Sequence, residues 1–160
     1  MKTFPEALSF FSYRTPFGRI TIQSDGESIR RLVLGEESLE GIFSPDSLMN
    51  DAATQVNEYL VGKRTIFDIP LAPRGSEFQI SVWNAAKDIP YGQTRTPSEI
   101  AEIIGMPDSF RAVGKAANEN PIAIIVPAHR ITKAGIKTIS PKDRNSFLRA
   151  KFRELERRFS

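Results

Sequence analysis

The chain has 160 residues, is 40% apolar and 26% charged, and carries a net charge of +3 with one histidine and no cysteine. Size and composition suit a folded globular protein of one ordinary or two small domains and exclude a disordered chain. They also exclude a bilayer-spanning helix, because no apolar run approaches the ~20 residues needed. Without cysteine, disulfides, thiolate metal sites and thiol nucleophiles are excluded. With His129 as the single histidine, no transition-metal site and no cofactor is expected.

Leu8–Tyr13, Gly18–Gln23 and Ile29–Leu34 are rich in β-branched and aromatic residues and are predicted strands. Asp25-Gly26, between the second and third, suits a tight hairpin. A loop containing Pro45 and Asp46 follows. Ala52–Leu60 then sets Ala52, Val56, Tyr59 and Leu60 on one helical face. This half predicts a small antiparallel sheet with a helix packed on it. Around Ile69–Gly75, the residues Pro70, Pro73 and Gly75 mark a linker, so domains of 1–74 and 75–160 are expected.

Beyond the linker the pattern turns helical. Phe78, Val82 and Trp83 recur at helical spacing, Ala85 and Ala86 carry the run towards Ile89, and Pro90-Tyr91-Gly92 stops it. Thr96-Pro97-Ser98-Glu99 offers an N-cap hydroxyl, a proline at the first helical position and a glutamate at the third. It predicts a short helix, Ser98–Ile104, ending at Gly105. Pro107-Asp108-Ser109 is expected to cap a further helix, Phe110–Glu119, which ends at Asn120-Pro121. Two short helices around a tight turn have the form of a helix-turn-helix, a spacing that any two packed helices share.

In the second helix Arg111 and Lys115 are predicted to be exposed, with Ala112, Val113 and Ala116 inward. Small residues at Ala112, Gly114, Ala116 and Ala117 allow close approach, either to a groove of DNA or to the preceding helix. Ile122–Val126 predicts a buried extended segment leading to Pro127-Ala128-His129-Arg130. A last helix, Lys142–Arg158, lines Phe147, Leu148, Lys151, Phe152 and Leu155 along one stripe.

Charge is uneven along the chain. Residues 1–74 carry 8 basic and 10 acidic side chains, residues 75–160 carry 14 and 9. A basic C-terminal half suits a polyanion partner or an ordinary solvated surface. Met1 to Phe11 has no basic stretch followed by an apolar run and a small-residue cleavage site. An intracellular location, in cytoplasm, nucleoid or nucleus, is therefore expected.

Between residues 78 and 130 a series of blocks is more specific. Phe78-Gln79, Val82-Trp83, Ile89-Pro90-Tyr91-Gly92-Gln93-Thr94, Arg111-Ala112-Val113-Gly114, Asn120-Pro121-Ile122, Ile124-Ile125-Val126-Pro127 and His129-Arg130 occur in that order. Together they resemble the DNA-binding domain of the O6-alkylguanine-DNA alkyltransferases. Thr15-Pro16-Phe17-Gly18 and Tyr59-Leu60-Val61-Gly62-Lys63-Arg64 are similar to that family's N-terminal domain. The resemblance implies an α/β (α+β) fold: a small ribonuclease H-like sheet with a helix, then a helical domain of helix-turn-helix or winged-helix type.

It further implies that the helix-turn-helix enters the minor groove and that Arg111 fills the space left by a flipped nucleotide. DNA contacts are implied for Thr96, Pro97, Ser109, Lys115 and Arg130, a hinge at Asn120, and a lesion pocket from Tyr91, Val126, Pro127 and Ser140. The family's Pro-Cys-His-Arg signature, whose thiolate takes the alkyl group, reads Pro127-Ala128-His129-Arg130 here. Ala128 has no lone pair to accept it. His129 matches the family's base, and with no thiol to deprotonate its expected role is a structural hydrogen bond. Glu154 matches the glutamate that orients the base after one deletion; in another alignment Ser146 falls there.

Pro97 stands where the family has a tyrosine, and Thr138–Asp143 replaces a glycine-rich pocket stretch. Together these departures favour a non-transferring relative that binds O6-alkylguanine, as a monomer, and hands it to excision repair. Two alternatives are a Cys-to-Ala form of an active methyltransferase and a DNA-binding regulatory or structural module without lesion specificity.

Overall fold

In the computed structural model, which describes residues 7–133 and 144–160, the chain folds as two units, Met1–Pro73 and Arg74–Ser160. In the first, β1 (Ser9–Thr15), β2 (Gly18–Ser24) and β3 (Ile29–Leu34) are antiparallel neighbours. A two-residue strand, β4 (Ile42–Phe43), joins the far edge parallel to β1, in the order β3-β2-β1-β4. The sheet is therefore mixed, where the sequence predicted an antiparallel one. Ile42 N–H donates to the Leu8 carbonyl and Ser44 N–H to that of Phe10, both at 3.0 Å. Two residues are too few to show a period of two, so β4 had no sequence signal.

Between β2 and β3, Asp25 Oδ1 accepts from the Glu27 and Ser28 amides at 2.8 and 2.7 Å while Oδ2 pairs with Arg30 at 2.8 Å. α1 (Ser47–Leu60) begins five residues before the predicted start, because Asp46 caps it by accepting from Met49 N–H at 2.7 Å. Its buried face, Met49, Ala52, Ala53, Val56, Tyr59 and Leu60, covers Ile20, Ile22 and Leu32 of the sheet. The Ile69–Gly75 linker is partly structured: Leu71 forms a parallel bridge to Ile29.

The second unit contains α2 (Glu77–Lys87), α3 (Pro97–Ile103), α4 (Phe110–Asn118) and α5 (Arg144–Phe159). Capping boxes start two of them. Ser76 with Gln79 opens α2, and Thr96 with Glu99 opens α3, where Pro97 occupies the first turn. Each box satisfies two amides that the helix leaves without partners. Gly105, at φ +79, makes the left-handed turn after α3. Trp83 Nε1–H donates to the Ala116 carbonyl at 2.9 Å, fastening α2 to α4 over a core of Val82, Ala86, Ile100, Val113 and Ile122.

Several expectations fail here. Ser109 makes no side-chain cap; Pro107–Ser109 forms a 3-10 turn that feeds α4 directly. Ala112 is exposed, since the buried stripe runs through Val113, Ala116 and Ala117. Ile122–Val126 is buried but turned, with Val126 N–H returning to the Ile122 carbonyl at 3.0 Å. On α5, Phe147 and Lys151 are exposed, and the Lys151 ammonium lies 5.4 Å from the centre of the Phe147 ring. Among the described residues no helix is long and apolar enough to cross a membrane.

Candidate functional site

Two features of the second unit stand out, one open and one buried. The open one is a cavity of about 710 Å³ walled by the start of α3, one face of α4 and the strand-like segment Ile131–Lys133. Its lining includes Thr96, Pro97, Ser98, Phe110, Arg111, Gly114 and Lys133. Arg111 and Lys115 are both exposed on α4, and among the described residues neither makes an ion pair. The small residues of α4 divide between their two possible uses. Ala116 is buried in the unit's core, and Ala117, also buried, reaches the cavity wall. Gly114 lines the cavity, and a Cβ there would meet nothing within 4 Å.

The buried feature surrounds Ala128. Asn120, just past α4, clasps the following loop with both ends of its amide: Oδ1 accepts from Ile122 N–H at 3.0 Å and Nδ2 donates to the Val126 carbonyl at 2.8 Å. Inside that loop Ile124 adopts φ 74, a left-handed conformation costly for a β-branched residue. The chain then enters a 3-10 turn, Ala128–Arg130. All three of its residues are nearly inaccessible: Ala128 and His129 are 2% exposed and Arg130 6%.

The common partner of His129 and Arg130 is Glu156 of α5, itself 1% exposed. Arg130 donates from Nε to Oε1 at 2.8 Å and from Nη2 to Oε2 at 3.0 Å, and its Nη1 donates to the Ile89 carbonyl at 2.7 Å. His129 Nε2 lies 2.7 Å from Oε2, and Gly92 N–H donates to Oε1 at 3.2 Å. A carboxylate only accepts, so the imidazole carries its proton on Nε2. Burial pushes the His129 pKa below its ordinary value, against the opposing pull of Glu156 and with help from Arg130 and Arg153. The ring is therefore a neutral imidazole at neutral pH. Tyr91 lies beneath the Arg130 guanidinium, 5.6 Å from ring centre to Cζ. Burial, and then the charge of Glu156, raise its phenol pKa.

The glutamate that holds His129 is thus Glu156, and Glu154 points to solvent. On a helix two residues are more than half a turn apart, so only one of the pair can face His129. A sequence signal existed. Glu156 lies four residues after Phe152 and eight after Leu148, both buried, and so belongs to the apolar stripe. Ser146, the other expected position, is hydrogen-bonded to Arg149 at 2.9 Å. Arg130, expected at DNA, is instead buried and committed to Glu156. Tyr91, Val126 and Pro127 do not line the α3–α4 cavity, whereas Phe110, Ser98, Gly114 and Lys133, which the sequence did not single out as site residues, do. Ser140 and the 138–143 segment lie outside the described residues.

Residues 77–157 match the family model described as 6-O-methylguanine DNA methyltransferase, DNA binding domain, and residues 10–73 match its ribonuclease-like domain. The methylated-DNA–protein-cysteine methyltransferase of Methanosarcina acetivorans is 45% identical over 133 residues, covering 78% of this chain and 83% of the relative. That of Mycobacterium tuberculosis is 43% identical over 132 residues, covering 78% and 80%. The crystal structure of the Mycobacterium tuberculosis O6-methylguanine methyltransferase superposes with a TM-score of 0.86 at 35% identity, covering 96% of this chain and 94% of that one. The structure of Mycobacterium tuberculosis OGT in complex with DNA gives 0.83 at 37% identity, covering 95% and 94%.

Proposed function

The chain belongs to the 6-O-methylguanine DNA methyltransferase family, and from that premise we propose that it binds duplex DNA and recognises O6-alkylguanine without accepting the alkyl group. One observation carries the reading. The residue between Pro127 and His129 is alanine, and the chain has no cysteine elsewhere to replace it. Accepting an alkyl carbon requires a lone pair aimed at it, and a methyl side chain has none. Duplex DNA as partner is supported by the exposed cations of α4 and by the DNA complex of the Mycobacterium tuberculosis relative.

In this reading α4 enters the minor groove, Arg111 occupies the gap left by a flipped guanine, and Lys115 meets phosphate. Thr96 and Pro97, on the opposite wall of the cavity, approach the same strand. With no chemistry of its own, the protein marks the lesion for an excision-repair protein. The test measures affinity for an O6-methylguanine duplex against the matched undamaged duplex at fixed salt, together with label transfer from O6-[methyl-labelled] DNA. Tighter lesion binding with no label on the protein is expected. Equal affinity for both duplexes leaves a DNA-binding module without lesion recognition, and stoichiometric labelling overturns the reading altogether.

The buried His129–Glu156 pair favours a second reading, in which Ala128 replaces the acceptor cysteine of an otherwise working site. The pair is at hydrogen-bond distance, 2.7 Å, and fully enclosed. Ala128→Cys separates the two. Rapid single-turnover demethylation by that variant supports the second reading. Slow or absent transfer supports the first, with Pro97 and the 138–143 segment as the divergent elements.

A further inference from the structure

Phe110 is out of place for an aromatic residue. It opens α4 with 42% of its surface exposed, on the wall of the α3–α4 cavity. Its neighbour Arg111 sets the guanidinium carbon 5.7 Å from the centre of the Phe110 ring, within cation–π range. No carboxylate competes for that guanidinium among the described residues. One turn further on, Gly114 lines the same cavity and leaves it open, since a Cβ there would meet nothing within 4 Å. An exposed ring, a guanidinium held over it and a vacant side-chain position thus occupy consecutive points on one face of a cationic helix.

We propose that Phe110 is a positioning residue for base extrusion: its ring aims the Arg111 guanidinium in the free protein and, on DNA, stacks against the base pair bordering the gap that Arg111 fills. The inference rests on the duplex-binding reading of α4. The chemistry is that of an aromatic stacking face beside a cation. Unstacking a base step exposes two apolar faces, and an aromatic side chain covers one of them without reading sequence. Arginine alone supplies charge and hydrogen bonds to the gap but leaves the neighbouring base pair without a stacking partner of equal area.

The experiment compares native protein with Phe110→Ala, Phe110→Leu and Phe110→Trp on three duplexes: undamaged, O6-methylguanine and abasic. A fluorescent base analogue next to the modified position reports unstacking. Because the ring is substantially exposed, the variants should keep the native melting temperature, which is checked first. Native protein should prefer both modified duplexes and brighten the analogue. Phe110→Ala should lose about tenfold of that preference, the scale of one base–aromatic stack, and most of the brightening. Phe110→Trp should restore both, and Phe110→Leu, apolar but without a π face, should restore neither.

The proposal is overturned if Phe110→Ala keeps the native preference, if leucine rescues as well as tryptophan, or if native protein prefers neither modified duplex. Should native protein prefer the abasic duplex but not the O6-methylguanine one, lesion recognition fails. The role of Phe110 is then decided on the abasic duplex alone, where the gap already exists.

Discussion

Replacing Glu156 by alanine is the sharpest perturbation of the buried network. Its side chain is 2% exposed and that of Arg130 8%, so solvent does not screen the pair. The carboxylate accepts from Arg130 Nε and Nη2, His129 Nε2 and Gly92 N–H. Without it, the guanidinium stays buried with the Ile89 carbonyl as its remaining hydrogen-bond partner among the described residues. Breaking one side of a buried ion pair costs about 3–5 kcal/mol, a large part of the ~5–15 kcal/mol that holds an ordinary domain folded. Glu156→Gln keeps one acceptor oxygen and should lose less. Replacing Arg130 and Glu156 together by methionine removes both charges and should recover most of the loss. Urea unfolding followed by fluorescence of the single tryptophan, Trp83, reports on this unit selectively. A Glu156→Ala variant within about 1 kcal/mol of native would refute the claim that this carboxylate neutralises a buried cation.

Arg111→Ala should weaken DNA binding by about 1–3 kcal/mol with the larger loss on lesion DNA, while Lys115→Ala should weaken both duplexes equally and lower the salt dependence by about one phosphate contact. Fluorescence anisotropy across a salt series checks both, and native affinity for Arg111→Ala would remove α4 from the interface. Because burial holds the His129 pKa below that of the unfolded chain, near 6.5, the unfolded state binds more protons below that pH. Stability is therefore full above about 6.5 and falls as pH drops towards the folded value. Melting temperatures from pH 7.5 to 5.5 should decline in native protein and decline less in His129→Gln, and a native rise on acidification contradicts the neutral imidazole. Gly114→Ala should raise stability by about 0.5–1 kcal/mol, since the position is helical with no positive φ and a Cβ there meets nothing. A lower midpoint in urea would show that the open space is occupied.

What the sequence disclosed was what short-range chemistry determines. The box Thr96-Pro97-Ser98-Glu99 fixes the start of α3 because its cap and reciprocal glutamate lie within one turn, and the buried face of α1 follows from a helical period over nine residues. The box that opens α2, Ser76 to Gln79, and the Asp46 cap of α1 are signals of the same short-range kind. Other features belong to the tertiary structure. β4 exists because the chain returns to an edge of β1, and neither of its residues announces that return. The choice between Glu154 and Glu156 depends on how α5 is rotated about its axis, which alignment to a motif could not decide and the apolar stripe could. The resemblance implies a DNA contact for Arg130, yet it is buried because an equally buried carboxylate receives it. The family was legible because its blocks combine turn, helix and loop residues in one order, whereas the roles of single residues depend on what each one faces.

The loop that carries Ala128 is built almost entirely from its own neighbourhood. From Asn120 to Ala128 its hydrogen bonds, including the two of the Asn120 amide, join residues two to six apart, and only at His129 and Arg130 do partners from afar enter, Arg95 N–H donating to the Arg130 carbonyl at 2.9 Å and Arg153 to that of His129 at 3.0 Å. Closing such short loops costs little chain entropy. The strain at Ile124 is likewise held by partners within a few residues. What α5 brings from more than twenty residues away is a different commodity, a negative charge delivered to a form already made. Shape and charge at this site thus come from separate stretches of chain, and each can change without rewriting the other. An acceptor side chain can be lost at position 128 while the scaffold around it stays intact.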